Sequence, residues 1–229
     1  MHSWSIDGSD TPPTTLWNYT SNIGVIYFNK GDFAKALPYY EAALKIWQET
    51  GSKDEQAIQL GNIGLNYQDQ GDLANGLKYY EQALRLNQEL GWKEGIARQL
   101  VYIGSIYLAK NELDKALQYF DEALQLDKEI GRKDGIAVQL GNIGFIYQRK
   151  GDLPKVLNYS EDALKISKEM GDKREEASVL GDIGSIYKLK GDYAKALNYY
   201  NQALEIFKQI GAKKEIKQIE NNIRALKGK

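Results

Sequence analysis

Three asparagines at a common spacing are the residues of this sequence best suited to binding chemistry. Asn22 and Asn62 lie 40 residues apart, and Asn142 lies 80 residues further on. A carboxamide offers two N–H donors and an acceptor oxygen, so it can hold a peptide backbone without reading the side chains. An apolar residue follows each asparagine three positions later: Val25, Leu65 and Phe145. Amides set among apolar side chains suit an extended or helical segment.

The composition excludes most catalytic and metal-binding chemistry. The 229 residues contain no Cys and one His, His2. Thiolate nucleophiles, zinc–thiolate sites and iron–sulfur clusters are therefore excluded, and histidine chemistry almost so. The abundant Asp and Glu recur at helix caps and outer faces, with no nucleophile paired with a base. The sequence predicts no enzyme, no catalytic residue, no metal and no cofactor.

Charge and hydropathy define the expected environment. Lys and Arg total 30 against 31 Asp and Glu, a net charge of −1, whereas a general nucleic-acid binder needs an excess of cations. No apolar run approaches the roughly 20 residues of a membrane helix. Residues 1–16 lack the basic start and apolar core of a signal peptide. We therefore expect a cytoplasmic protein that contacts neither nucleic acid nor membrane.

The elements that would position the asparagines follow from a 40-residue repeat. One set of glycines closes each repeat: Gly51, Gly91, Gly131, Gly171 and Gly211. A second set marks its middle, with asparagine in one place: Gly31, Gly71, Asn111, Gly151 and Gly191. Glycine accepts the left-handed conformation that ends a helix, and the Asp after it, such as Asp72, is a favoured N-cap. Each repeat is therefore predicted to form two helices and no strand.

The end of the chain departs from this pattern. An apolar stripe continues there: Ile216, Ile219, Ile223 and Leu226. Arg224 replaces the glycine of earlier repeats and no second helix follows, which predicts a capping helix. We divide the chain into a flexible tail (1–12), five repeats (13–52, 53–92, 93–132, 133–172 and 173–212) and a capping helix with its tail (213–229).

The repeat resembles the tetratricopeptide repeat (TPR). The second copy carries the signature positions Leu60, Ile63-Gly64, Tyr67, Gly76, Tyr80 and Ala83. Five in-phase copies cover nearly the whole chain after the first dozen residues. The long 40-residue form is similar to the TPRs of kinesin light chain, of the Leu-Gly-Asn adaptors and of bacterial peptide-sensing regulators. The resemblance implies an all-α, right-handed superhelical solenoid of five helix pairs plus a C-terminal capping helix.

The resemblance also implies that the first helices line a concave groove, in which the recurring asparagines hold a ligand backbone. Gly61, Gly141 and Gly181 beside them would let the ligand come close. The predicted peptide-binding residues are Asn22, Val25, Ile58, Asn62, Leu65, Arg98, Tyr102, Asn142, Phe145 and Arg149. Two other interpretations stay open, in which this face packs internally or contacts the protein itself.

These features predict a non-catalytic scaffold or adaptor for protein–protein interaction, which binds a peptide segment or a partner helix. Arg98 and Arg149 would favour some acidic character in the ligand. The carboxylate clamp of chaperone-binding TPRs is not expected, because its matching places hold residues such as Gly61, Leu65 and Tyr102.

The alternative prediction is a self-assembling oligomer. Residues 1–114 contain 9 basic and 14 acidic residues, and residues 115–229 contain 21 and 17. Opposite charge at the two ends favours head-to-tail stacking. The N-terminal tail could also lie in a groove of its own or of a neighbouring chain.

Three further features are interpreted as structural. Adjacent tyrosines such as Tyr79 and Tyr80 predict one core ring and one half-exposed ring. Trp92, in a turn, is expected to pack on an adjacent helix. The fourth repeat departs from the pattern at three positions: Pro154, Val156 and Ser160. Pro154 falls in a first helical turn, where proline is tolerated.

Overall fold

The computed structural model describes residues 14–227, with side chains described for residues 19–226. All eleven elements in this range are α-helices. They are α1 (Thr14–Asn29), α2 (Phe33–Thr50), α3 (Lys53–Asp69), α4 (Leu73–Leu90), α5 (Lys93–Ala109), α6 (Leu113–Glu129), α7 (Lys133–Lys150), α8 (Leu153–Met170), α9 (Lys173–Leu189), α10 (Tyr193–Gln209) and α11 (Lys213–Lys227). None of these helices combines the length and hydropathy needed to cross a bilayer.

The predicted fold class, five helix pairs followed by one helix, is confirmed by this element order. The predicted flexible tail, residues 1–12, lies outside the described residues. The predicted repeat boundaries stay a prediction.

Residues at fixed repeat positions set the helix ends. The described glycines of the two turn series have φ between 65° and 82°, the left-handed region in which a side chain is strained. Asn111, with φ 61°, occupies the one glycine slot that lacks glycine, and asparagine tolerates this conformation better than most residues. The following acidic position caps the second helix: Asp72 Oδ1 accepts from the backbone N–H of Asn75 at 3.1 Å.

The chain divides within α6 into two compact units, residues 1–116 and 117–229. In the first unit α1 packs on α2, α3 packs on α2 and α4, and α4 packs on α5. Large rings fill the space between paired helices. A Cβ built on Gly64 of α3 would lie 2.7 Å from the ring of Tyr80, so glycine is required for this approach.

In the second unit α8 packs on α7 and α9, and α10 packs on α9 and α11. Tyr200 and Phe207 of α10 are buried in a cluster that includes Ile219 and Leu226 of α11. The last helix therefore covers the apolar side of α10, while Arg224 is exposed.

The adjacent tyrosines pack as expected, with one ring in the core and the other stacked on the first helix of the pair. Tyr80 is buried, and the ring of Tyr79 lies 5.5 Å from that of Tyr67. The same stack recurs at Tyr27–Tyr39, Tyr147–Tyr159 and Tyr187–Tyr199. These rings stabilise each helix pair.

Candidate functional site

Five of the predicted binding residues meet on α3 and α5 of the first unit. Ile58, Asn62, Leu65, Arg98 and Tyr102 line one concavity of about 60 Å³. All five side chains are half-buried. The remaining lining residues are Ala57, Gly61, Asn87, Trp92 and Gln99. Internal packing therefore accounts for part of the surface of these residues, and part stays accessible.

A buried glutamine fixes the amide of Asn62. Asn62 Nδ2 donates to Gln59 Oε1 at 3.4 Å, and Ser21 Oγ donates to the same oxygen at 2.9 Å. Gln59 is almost fully buried one helical turn before Asn62. The bond uses one N–H of the Asn62 carboxamide, which has a further donor and an acceptor oxygen.

Tyr102, which lines this concavity, stacks on a buried ring of α4. The rings of Tyr80 and Tyr102 lie 4.9 Å apart with 19° between their planes. The Tyr80 hydroxyl donates to Gln68 Oε1 at 2.9 Å. Desolvation is the main cause that raises the pKa of Tyr80, with the Tyr102 hydroxyl second. The phenol therefore stays neutral, and its ring fills the space between α3 and α4.

Arg98 is held by its own helix. Its guanidinium forms an ion pair with Glu94 at 3.0 Å and lies 5.4 Å from the ring centroid of Trp92. Trp92 is half-buried against this helix, as expected. The expectation that Arg98 adds a positive charge for an acidic ligand stays a prediction, and in the free chain Glu94 compensates that charge.

Two predicted residues of the second unit lie beside larger concavities between α7, α8 and α9. Asn142 lines a concavity of about 360 Å³ together with Ala137, Val138 and Gly141. Phe145, which is 47% exposed, lines an adjoining one of about 330 Å³. Val138 is 53% exposed, so at this residue the face does not pack internally.

A polar chain fixes Asn142 in the same way as Asn62. Asn142 Nδ2 donates to Gln139 Oε1 at 3.2 Å, and Gln139 Nε2 donates to Asp127 Oδ2 at 3.2 Å. Asp127 is fully buried and is paired with Arg132 at 2.7 Å. Through Gln139, the Asn142 amide is therefore connected to a buried ion pair. This connection fixes the orientation of the amide before any ligand binds.

Carboxylates surround the concavities of the second unit: Asp134, Asp172, Glu175 and Asp182. The side chain of Asp182 is accessible to solvent, yet it lies in a recess. Desolvation, and next the charge of Glu175, raise the pKa of Asp182. The expected preference for an acidic ligand stays a prediction, and the carboxylates that line these concavities do not favour it there.

The other predicted residues lie apart from these concavities. Asn22 and Val25 are exposed on α1, and Arg149 is exposed in the last turn of α7. The expectation that three glycines would admit a ligand stays a prediction, and two of them also lie close to a side chain of a neighbouring helix. A Cβ on Gly61 would lie 3.3 Å from Gln99 Nε2, and one on Gly181 would lie 3.1 Å from Ile219 Cδ1. These two glycines allow close helix packing.

Two groups of site residues were missed in the sequence-based prediction. The buried glutamines that orient the asparagines, Gln59 and Gln139, belong to a Gln-Leu pair that recurs at 59–60, 99–100 and 139–140, and this recurrence is the signal that could have found them. Ser160 and Asp182 line the cavity of about 330 Å³. Ser160 was visible as a departure from the repeat, but its effect on the packing was not.

The comparisons with known proteins agree with this geometry. Residues 14–144 match the family described as MalT-like TPR region, and residues 135–209 match the tetratricopeptide repeat. Comparison with curated protein sequences gave no significant match.

Solved structures share the fold at low identity. BtubC (BKLC) from P. vanneervenii has a TM-score of 0.77 and 24% identity, covering 86% of this chain and 82% of that chain. The apo form of RapI has a TM-score of 0.76 and 19% identity, covering 89% and 74%. A Rap protein complexed with competence and sporulation factor has a TM-score of 0.68 and 19% identity, covering 94% and 59%. Since one family profile spans more than half of the sequence, the chain belongs to the family of MalT-like TPR regions.

Proposed function

We propose that this chain is a non-catalytic scaffold for protein–protein interaction, which binds a peptide segment or a partner helix on the accessible face of its first helices. The observation that carries the proposal is the repeated setting of Asn62 and Asn142. Each amide is half-buried, and each donates one N–H to a buried glutamine three residues earlier. A carboxamide fixed in this way presents its remaining donor and acceptor to a ligand backbone at little entropic cost.

The neighbouring side chains support the same function. Leu65 and Phe145 lie one turn after the two asparagines and keep part of their apolar surface accessible. Repeat folds of this kind offer extended surfaces for macromolecular partners. A Rap protein that shares this fold was crystallised with the competence and sporulation factor, which supports a binding role for the fold.

A peptide display library selected on the immobilised full chain tests the proposal. The selected peptides are then titrated against wild type and the Asn62→Ala/Asn142→Ala variant by fluorescence anisotropy. A lost neutral hydrogen bond of about 1 kcal/mol weakens the Kd of a peptide that contacts either asparagine by about fivefold. The matched control is Asn158→Ala/Asn198→Ala, which removes two exposed amides from the second helices. We expect it to bind as wild type does.

Three results would contradict the proposal. The first is that no peptide is enriched over an unrelated protein, and the second is that both double variants bind with equal affinity. A large fall in the unfolding free energy of the Asn62→Ala/Asn142→Ala variant would instead assign these amides to packing.

The alternative prediction, self-assembly by head-to-tail stacking, gains no support from the second unit. Stacking at the C-terminal end would require the apolar side of α10. Ile219 and Leu226 of α11 already cover that side.

A further inference from the structure

One position that carries a buried ring in four repeats carries a serine in the fourth. The rings are Tyr40, Tyr80, Phe120 and Tyr200, all at most 2% exposed, and the same register holds Ser160. Where described, a tyrosine ring lies 2.7 or 2.8 Å from a Cβ built on the facing glycine: Gly24, Gly64 or Gly184. At Gly144 the nearest atom is the Tyr159 Cβ, at 3.8 Å. The glycine that makes room for a ring is therefore retained where this chain has no ring.

The space beside Gly144 belongs to the cavity of about 330 Å³ between α7, α8 and α9. Its buried walls are Leu140, Gly144, Val156, Val179 and Ile186. Phe145 and Leu189 also line it and are 47% and 67% exposed. Val156 is larger than the Ala or Gly of other repeats, yet the cavity persists. Its volume lies within the range of ligand pockets, roughly 300–1,000 Å³.

The first unit shows which side chains occupy the corresponding space in another repeat. Tyr80 stacks on Tyr102 and donates its hydroxyl to Gln68. The equivalent positions, 80 residues later, are Ser160, Asp182 and Gln148. All three line the cavity. Both rings of the stack are thus missing, while the glutamine that accepts from a phenol is still present.

The charge of the residues that line this cavity indicates which aromatic ligands it favours. Asp182 and Glu175 line the cavity, and none of its described lining residues is Lys or Arg. Glu215 of α11 lies with Asp182 at an adjoining concavity, but its charge is compensated by an ion pair with Arg174. A ligand with a cation beside its ring complements these carboxylates, whereas an anionic ligand is repelled.

We propose that this cavity is a socket for a tyrosine side chain of a partner peptide in which Lys or Arg adjoins the tyrosine. The ring occupies the space beside Gly144, the hydroxyl donates to the Gln148 amide oxygen, and the neighbouring cation lies against Asp182 and Glu175. The inference rests on the proposed function, since it names the side chain that the binding face accepts.

Three small probes test the chemistry on the full chain by NMR titration of backbone amides. Tyramine carries a phenol and an ammonium group, phenethylamine lacks the hydroxyl, and 3-(4-hydroxyphenyl)propionate carries a carboxylate in place of the ammonium. We expect tyramine to shift the amides of Gly144 and Ser160 in a saturable way. Phenethylamine should bind about fivefold more weakly through the lost hydrogen bond, and the propionate about tenfold more weakly or worse.

Filling the socket provides the decisive variants. Ser160→Tyr with Val156→Ala restores the pattern of the other repeats, so it should abolish tyramine binding and raise the urea midpoint. Gly144→Leu fills the cavity from the opposite wall. This variant replaces the first one in the experiment if the first fails to fold. Ser160→Ala keeps the cavity open and should bind tyramine as wild type does. Equal tyramine binding by wild type and a folded blocked variant, or equal affinity for all three probes, overturns the proposal.

Peptide selection connects the socket to a partner. Peptides selected on wild type and counter-selected on the blocked variant should contain tyrosine next to Lys or Arg, and peptides without that pair would contradict the proposal. A wild-type spectrum in which the amides of Gly144 and Ser160 shift with protein concentration would assign the socket to a second copy of the chain, and overturn it too.

The socket and the asparagines can fail independently. The Asn62→Ala/Asn142→Ala variant should bind tyramine with wild-type affinity, because neither amide lines the cavity of about 330 Å³. If the proposed function fails, this variant binds the selected peptides with wild-type affinity, while the three probes keep the expected order of affinity. If the socket fails, the probes lose their ranking while peptide binding still depends on the asparagines.

Discussion

The α3–α5 region of the first unit and the α7–α9 region of the second have the same repeat pattern but enclose very different spaces. The concavity beside Asn62 measures about 60 Å³, whereas those beside Asn142 and Phe145 measure about 360 and 330 Å³. Four positions explain much of the difference. Tyr80, Asn87, Trp92 and Arg98 in the first region are Ser160, Ser167, Asp172 and Ser178 in the second.

The difference shows that the fold and the site depend on separate positions. Turn glycines, acidic caps and small helix-contact residues recur in both regions and maintain the helix pairs. Large side chains then either fill the space between helices or leave it open. Gly64 and Gly144 make this plain, because a ring contacts the first, while the second faces a cavity. A site can therefore change without altering the backbone that carries it.

The largest expected effect comes from making the first region resemble the second. Tyr80→Ser removes a fully buried ring, its stack on Tyr102 and its hydrogen bond to Gln68. We expect a loss of about 4 kcal/mol in the free energy of unfolding, measured in urea.

Ser160→Ala is the control for this change, with an expected effect below about 0.5 kcal/mol. A Tyr80→Ser protein as stable as wild type would contradict the view that this ring fills the first region.

A smaller contrast is expected at a second shared position. Asp127 is fully buried and accepts hydrogen bonds from Arg132 and Gln139. Asn87, in the same register, is also buried, but neither amide atom has a hydrogen-bond partner among the described residues. Asp127→Leu separates a buried ion pair and should cost about 3 kcal/mol. Asn87→Leu removes an unsatisfied amide and should stabilise by up to about 1 kcal/mol.

Urea unfolding of both leucine variants measures the contrast. Equal destabilisation would mean that Asn87 makes compensating bonds as strong as those of Asp127. An unchanged stability of Asp127→Leu would remove the basis for a preorganised Asn142.

The fold could be predicted from the sequence because its determinants are local. Helix ends depend on single residues such as Gly71 and Asp72, and the packing stripe follows from a helical period. The pairing of Asn62 with Leu65 on one accessible face follows from the same period. These features need no knowledge of distant contacts.

The cavities could not be predicted, because they depend on contacts between helices. Ser160 is visible as a departure from the repeat, but a neighbouring side chain could have filled the space. Val156 lies at the right place and is still too small to do so. Likewise, Gln139 is polar and gives no local sign of burial, since its partner Asp127 lies 12 residues away on another helix.

The smallest predicted effect tests the acidic character of the second region. Because desolvation and the charge of Glu175 raise the pKa of Asp182 above its usual value of 3.8, the ionised carboxylate disfavours the folded state at neutral pH. Below the unfolded pKa the group is protonated in both states and has no effect. Asp182→Asn should therefore be slightly more stable than wild type near about pH 7. This advantage should shrink as pH falls through the folded pKa and disappear below the unfolded one.

The measurement is the difference in urea midpoint between the variant and wild type across this pH range, since carboxylates that do not interact with Asp182 affect both proteins equally. A pH-independent difference would show that Asp182 is not desolvated in the recess. Tyramine provides a further comparison, because its ammonium favours the ionised form of Asp182. With saturating tyramine the advantage of Asp182→Asn at neutral pH should reverse in sign, since the carboxylate that disfavours folding in the free chain then contributes to binding.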